Sequence, residues 1–165
     1  MKIEELKIVD IRGDLHEINQ SGSKSIRSQK ASWIFDGVSR EFKIKNNEQI
    51  FVPFLSQNKK ELICFCKGYI EYESPCNVIV LNGDGSLRYK LCPPTPISEA
   101  FVKYENKVGG KEALSELRFI QPEIIKQGLE ELFTFWIGFG YDWYEVREFD
   151  LVTGKFGKLI RSARL

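Results

Sequence analysis

The sequence predicts an α+β domain, mainly antiparallel β-sheet in meanders and hairpins, with one to three short helices between residues 96 and 132. Three observations carry this. In the stretch VIVLNGDGSLRYKL, residues Val78 to Leu91, two apolar runs flank overlapping Asn-Gly and Asp-Gly pairs. Asn and Gly tolerate the positive φ angles of tight turns between right-twisted strands, so Asn82, Gly83, Asp84 and Gly85 mark a hairpin reversal. Before this hairpin, short apolar runs recur at close spacing, each bounded by turn residues, as in an antiparallel meander. After it, Pro93-Pro94-Thr95-Pro96 interrupts any ladder, and Ile97, Ala100, Phe101, Tyr104 and Val108 recur at helical spacing.

Taken in order, Lys7 to Arg12 reads as a short strand that stops at Gly13-Asp14. Arg12-Gly13-Asp14 spells an adhesion tripeptide but reads here as a turn. Asn19 to Lys30, NQSGSKSIRSQK, is a loop by composition. Its Gly22-Ser23-Lys24-Ser25 fails as a phosphate loop, since the two required glycine places hold Ser23 and Ile18. Ser32 to Ile44 reads as strand, turn at Asp36-Gly37, and strand. Glu48 to Leu55 is another strand, with Pro53 placing it at an edge or ending its ladder. Asn58-Lys59-Lys60 turns the chain into a strand over Glu61 to Lys67, and Gly68 leads to a further one over Tyr69 to Glu73. Val78, Ile79, Val80 and Leu81 are apolar on both faces, as in a central strand. Leu87, Tyr89 and Leu91 alternate with cations, as in a half-buried one.

In the helical stretch, Thr95 is the expected N-cap, Pro96 the first helical residue and Gly109-Gly110 the stop. Ala113, Leu114 and Leu117 fit a second short helix. Ile125, Leu129, Leu132 and Phe133 match a third after Pro122, although either segment also reads as strand. The aromatic run FTFWIGFGYDWYEVREFD predicts a hairpin around Gly138 to Asp142, and Asp150 to Lys155 predicts a final one leading to a basic strand. EFDLVTGKFGKLI looks like the Asp-x-x-Thr-Gly-Lys hairpin of quinoprotein-type β-propeller repeats, a likeness of one hairpin that turn chemistry explains.

At 165 residues the chain fits one domain, 1–165, able to bury a core without metal or disulfide staples. Its 24 Lys and Arg against 23 Asp and Glu give a net charge of +1, which removes the simplest argument for a nucleic-acid or anionic-membrane partner. The first residues mix charges into their apolar run and offer no signal-peptide core, so a cytoplasmic protein is expected. Cys64 and Cys66 stand two apart, while Cys76 and Cys92 lie beside prolines. With His16 the only histidine, zinc lacks ligands and four buried or free thiols are expected.

No metal or cofactor site is predicted. Asn82, Asp84 and Ser86 begin like a calcium loop, but the sixth position is Leu87 and the twelfth is Pro93. The carboxylates Asp142, Glu145, Glu148 and Asp150 are the dense acidic set near aromatics, and a glycoside hydrolase would use such a pair with Trp136, Trp143 and Tyr144 as stacking platforms. Strand parity opposes this, since Asp142 and Glu148 share one parity and Glu145 the other, and Glu145-x-Arg147 reads as a solvent face pairing charges across strands. A nucleophile would need His16, which sits in a polar stretch and reads as a surface residue. No catalytic residue is therefore predicted. The aromatics from Trp136 to Tyr144, with Asp and Arg nearby, suit an interface centre, although aromatics in strands more often fill the core. The partner-binding residues expected on the first reading are Tyr141, Asp142, Trp143, Tyr144 and Glu145.

In size, cytosolic character, β-rich layout and lack of a catalytic constellation, the chain resembles the immunity proteins that bacteria make against polymorphic or contact-dependent toxins. The resemblance implies a non-catalytic protein whose partner is a toxin domain, neutralised by occlusion of its active site. A small-ligand or carbohydrate-binding β domain using the same aromatics is the alternative from another class.

Overall fold

Short apolar runs, some alternating and some continuous, make strands of most of the first 91 residues. A computed structural model describes residues 1–19 and 25–165 of the chain, so Gly22-Ser23-Lys24 and the centre of the polar loop expected around them lie outside the described residues. The structure is α+β, 54% strand with two short helices, and its residues form two compact units, Met1–Leu91 and Cys92–Leu165.

In the first unit the strands are β1 (Glu4–Asp10), β2 (Leu15–Ile18), β3 (Ser28–Phe35), β4 (Val38–Lys43), β5 (Ile50–Leu55), β6 (Glu61–Lys67), β7 (Val78–Asn82) and β8 (Leu87–Leu91). They form an antiparallel sheet in the order β2-β1-β3-β5-β6-β7-β8, with β4 also paired to β3. The two-residue period puts Leu6 and Ile8, Ala31 and Trp33, Leu62, Cys64 and Cys66, and Ile79 and Leu81 into one buried cluster. Each large apolar side chain so buried contributes roughly 1.5–3 kcal/mol. The uninterrupted apolar runs of β6 and β7 are buried on both faces, with Leu62, Ile63 and Val78 to Val80 all at 0% exposure, as central strands are.

The β7–β8 turn closes this core as well as reversing the chain. The indole N–H of Trp33 donates to the Gly83 carbonyl at 2.6 Å, and a Cβ on Gly83 would stand 2.2 Å from the Phe35 ring. Only glycine permits that approach. Asp84 accepts both the backbone N–H and the hydroxyl of Ser86, which holds its carboxyl below the ordinary range. The oxygens that resembled a calcium loop are thus turn partners.

Local chemistry explains the other joints. Asp10 accepts the backbone N–H groups of Arg12 and Asp14, making Arg12-Gly13-Asp14 a turn, and it pairs with His16 Nε2 at 3.0 Å. The His16 contact, followed by these backbone bonds, lowers the Asp10 pKa. Pro53 faces Cys64 in the β5–β6 register, while β5 meets β3 only at Ser28↔Phe51, so the missing N–H falls where no ladder runs.

Two expectations for this unit are corrected. Tyr69 to Glu73 is not a strand but contains a 3₁₀ turn over Ile70–Tyr72. Tyr69 and Tyr72, three apart, both pack toward the core cluster while Ile70 is 84% exposed, a period of three that a strand cannot supply. Nor are all four cysteines free, because Cys76 and Cys92 are disulfide-bonded. Cys64 and Cys66 are free and buried.

In the second unit, α1 (Glu99–Val108) and α2 (Gly110–Ser115) precede an antiparallel sheet of β9 (Arg118–Gln127), β10 (Glu130–Phe139), β11 (Trp143–Asp150) and β12 (Lys155–Arg164), ordered β12-β11-β10-β9. The N-cap of α1 is Ser98, not Thr95, with its hydroxyl accepting the Phe101 N–H. Gly109 caps its other end as expected. Glu99 in the first turn and Lys107 in the last complement the helix dipole. Phe101, Ala113, Leu117 and Phe139 form the core beneath the helices, and Phe119, Phe133, Phe135, Phe149 and Phe156 stack into a second aromatic group, with Phe149 and Phe156 centroids 4.9 Å apart.

The third expected helix is a hairpin instead. Ile125 pairs with Leu132 and Ile124 with Phe133 across a turn at Gln127 to Glu130, and Leu129, one of the helical-period residues, is fully exposed at its tip. β-branched and aromatic residues favour the strand. Pro122 is tolerated because β9 is an edge strand. In the last hairpin Asp150 accepts the Val152 N–H and the Thr153 hydroxyl, and Gly154 takes φ +70°.

The buried thiols yield a test. Burial raises the Cys66 pKa from 9.0 to about 12 and that of Cys64 well above its ordinary value. Between those two pH values the folded chain retains a proton that the unfolded chain has lost, so stability falls as pH rises through that window. A thiol reagent at about pH 8 is expected to leave Cys64 and Cys66 unlabelled until denaturant is added, and the urea midpoint is expected to drop as pH passes 9. Rapid labelling of the native protein would show that these strands open readily.

Candidate functional site

The β10–β11 register determines what the expected binding residues can reach. Phe135↔Arg147, Ile137↔Glu145 and Phe139↔Trp143 are paired, so these residues share one face. Trp136, Gly138, Tyr144 and Val146 lie on the other. Helix α1 packs on the first face through Phe101, whose ring meets Phe139 edge-on at 5.2 Å.

Glu145 lies under the entrance to that helix. Its side chain is fully buried, and its carboxylate accepts the N–H groups of Ile97 and Ser98, each at 3.0 Å, and an N–H of Arg147 at 3.2 Å. Nε and Nη2 of Arg147 donate to the Gly157 carbonyl at 3.1 and 2.9 Å. This corrects the expectation of a solvent face at Glu145-x-Arg147. The two charges share the helix-covered face and satisfy each other there, with added backbone bonds that a buried pair requires.

Tyr141, Asp142 and Trp143 form the rim above it. Tyr141 is 97% exposed. The carbonyls of Gly140 and Tyr141 accept from Arg118 at 2.9 and 3.3 Å. Gly140 takes φ +56°, and a Cβ there would come within 3.1 Å of the Tyr104 ring, so the turn rests directly on α1. The Tyr104 hydroxyl donates to Glu116, a bond that raises its pKa to about 12. Asp142 accepts from Arg164 Nε at 2.8 Å, and the Arg164 guanidinium sits 5.5 Å from the centre of the half-buried Trp143 ring. Tyr144 belongs to the opposite face. It is buried, stacked on Trp136 at 4.3 Å with an interplanar angle of 1°. Trp136 donates to Glu123, and Arg161 pairs with that carboxylate while lying over the indole.

The structure therefore brings three of the five expected residues, Tyr141, Asp142 and Trp143, to one exposed rim, and holds Tyr144 and Glu145 inside. The four carboxylates considered for glycoside cleavage do not converge. Asp142 is ion-paired, Glu145 is buried beneath α1, Glu148 takes the other face, and Asp150 belongs to the final turn. Among the described residues no group of three or more His, Cys, Asp or Glu is placed to hold a metal ion, and no helix is long and apolar enough to cross a membrane.

Sequence reasoning missed the groove beside the rim. Its volume is about 440 Å³, and Glu99, Lys103, Tyr104, Lys107, Trp143 and Ser162 line it. The available signal was Lys103 and Lys107 one helical turn apart. Trp143 and Ser162 join them only through the fold.

No protein-family model matches the chain, and no curated protein matches it. Among solved structures, a chain from the structure of Tne2 in complex with Tni2 superposes with a TM-score of 0.53, covering 98% of this chain and 99% of that one at 12% identity. The two chains share a fold.

Because Glu145 joins helix to sheet, its removal is expected to act on stability. Glu145→Ala should cost about 3–5 kcal/mol by stranding Arg147 and the two amides, and Glu145→Gln about 1–3 kcal/mol. Urea titration measures both, and a loss under about 0.5 kcal/mol for Glu145→Ala would show that α1 is seated by other contacts.

Proposed function

We propose that this chain is a non-catalytic immunity protein of the bacterial cytoplasm that binds a cognate toxin domain and neutralises it by covering its active site. The observation that carries the reading is the likeness of fold, over nearly the whole length of both chains, to a chain from a two-protein complex. The site is consistent with this role. An exposed Tyr, a half-buried Trp and an Arg that stacks on it are the residue types that dominate protein interface centres, and the carboxylates nearby are held in structural pairs.

In this mechanism the chain supplies a surface already in place. The rim turn is fixed from below by Arg118 and Tyr104, so Tyr141 is presented with little ordering cost on binding. Occlusion requires only that a toxin loop or active-site lip seat against Tyr141 and Trp143.

The test is growth. Each neighbouring open reading frame is expressed in cells with and without this chain. The expected result is one frame that arrests growth alone and is tolerated with the chain present, with a one-to-one complex on co-purification. In that complex Tyr141→Ala and Trp143→Ala should each weaken affinity about 30-fold, roughly 2 kcal/mol. Tolerance of every neighbour without this chain would contradict the proposal, and growth arrest by this chain alone would reverse its place in the pair.

A further inference from the structure

Resting on the partner-binding reading above, we infer that the groove between α1 and the β11–β12 strands receives an acidic segment of the protein partner, one that also carries apolar side chains. Lys103 and Lys107 stand one helical turn apart, so their ammonium groups share the wall of the groove. Both are exposed, and among the described residues neither forms an ion pair, although Glu99 lies one turn before Lys103. Lys107 also serves the C-terminal end of α1. Lys103, in mid-helix, has no such task.

Like charges at this spacing repel, and a carboxylate lodged between them relieves that repulsion. Tyr104 and the half-buried Trp143 give the groove an aromatic floor, which an acidic chain without apolar side chains would leave wet. The Arg164 guanidinium over Trp143 adds a third cation at the rim, with part of its charge met by Asp142. A phosphate backbone fits less well. The chain's net charge is only +1, whereas nucleic-acid surfaces are strongly basic.

The experiment titrates the full ¹⁵N-labelled chain with an end-blocked synthetic peptide of alternating glutamate and leucine, followed by amide and indole chemical shifts. Saturable shifts are expected at Lys103, Lys107 and Trp143. The affinity should fall tenfold or more in K103E/K107E and by a smaller factor in K103Q/K107Q, and should weaken as NaCl rises from about 50 to about 300 mM. Amide shifts elsewhere in α1 report that each variant is folded. A lysine–leucine peptide should leave these residues unmoved. Absence of shifts there, an equal response to the lysine peptide, indifference to K103E/K107E, or tighter binding of a single-stranded oligonucleotide would overturn the inference. The two readings fail separately. A K103E/K107E chain that still rescues growth fully removes the groove from the toxin contact and leaves immunity standing, whereas peptide binding by a chain that rescues nothing removes immunity and supports the groove's choice of acids.

Discussion

One buried carboxylate ties the start of α1 to the sheet of the second unit. A charged group fully removed from water is tolerated where it is paired and hydrogen-bonded, and Glu145 has two backbone amides and a guanidinium as partners. The amides belong to Ile97 and Ser98, immediately before α1, so the same bonds that satisfy the charge fix where the helix begins. Arg147 carries the connection on to Gly157 in β12. The position of α1, and with it Tyr104, the rim turn and the groove wall, follows from this buried network.

That dependence explains a division of labour along β11. Successive residues alternate faces, so Trp143 and Glu145 look toward α1 while Tyr144 looks away, and each is used differently. Trp143 remains half-open at the edge of the helix, Glu145 is sealed beneath it, and Tyr144 stacks on Trp136 across the sheet. A run of five consecutive polar and aromatic residues that crosses from a turn into a strand does not make a single surface. Only its exposed end, with the preceding turn, faces solvent.

Much of the fold was legible in the sequence because its strands and turns are locally determined. Asn82 to Gly85 and Asp150 to Gly154 name their turns through Asp84 and Asp150, which accept backbone bonds, and Gly85, Gly154 and, after Asp36, Gly37 adopt positive φ. The errors arose where period alone was used. Ile125, Leu129 and Leu132 fit a helix, yet Leu129 is the tip of a hairpin, and the β-branched pair Ile124-Ile125 was the better signal. The spacing of three between Tyr69 and Tyr72 marks a helical turn, which an expectation of strand over Tyr69 to Glu73 does not accommodate. At the site, the rim was legible as aromatics beside a glycine turn. The groove was not, because its lysines and its tryptophan are separated by some 36–40 residues in the chain and meet only through the seating of α1. The burial of Glu145 is illegible for the same reason, since it depends on a helix that the local sequence of β11 does not announce.

The most direct measurement is native-state hydrogen exchange at Ile97 and Ser98. If the Glu145 carboxylate seats α1, these two amides, though they precede the helix and make no intrahelical bonds, will be protected to about the level of the β10–β11 ladder at Ile137. Exchange as fast as at the exposed Tyr141 amide would show that the carboxylate does not hold the helix, and the account of the rim and groove built on it would fail.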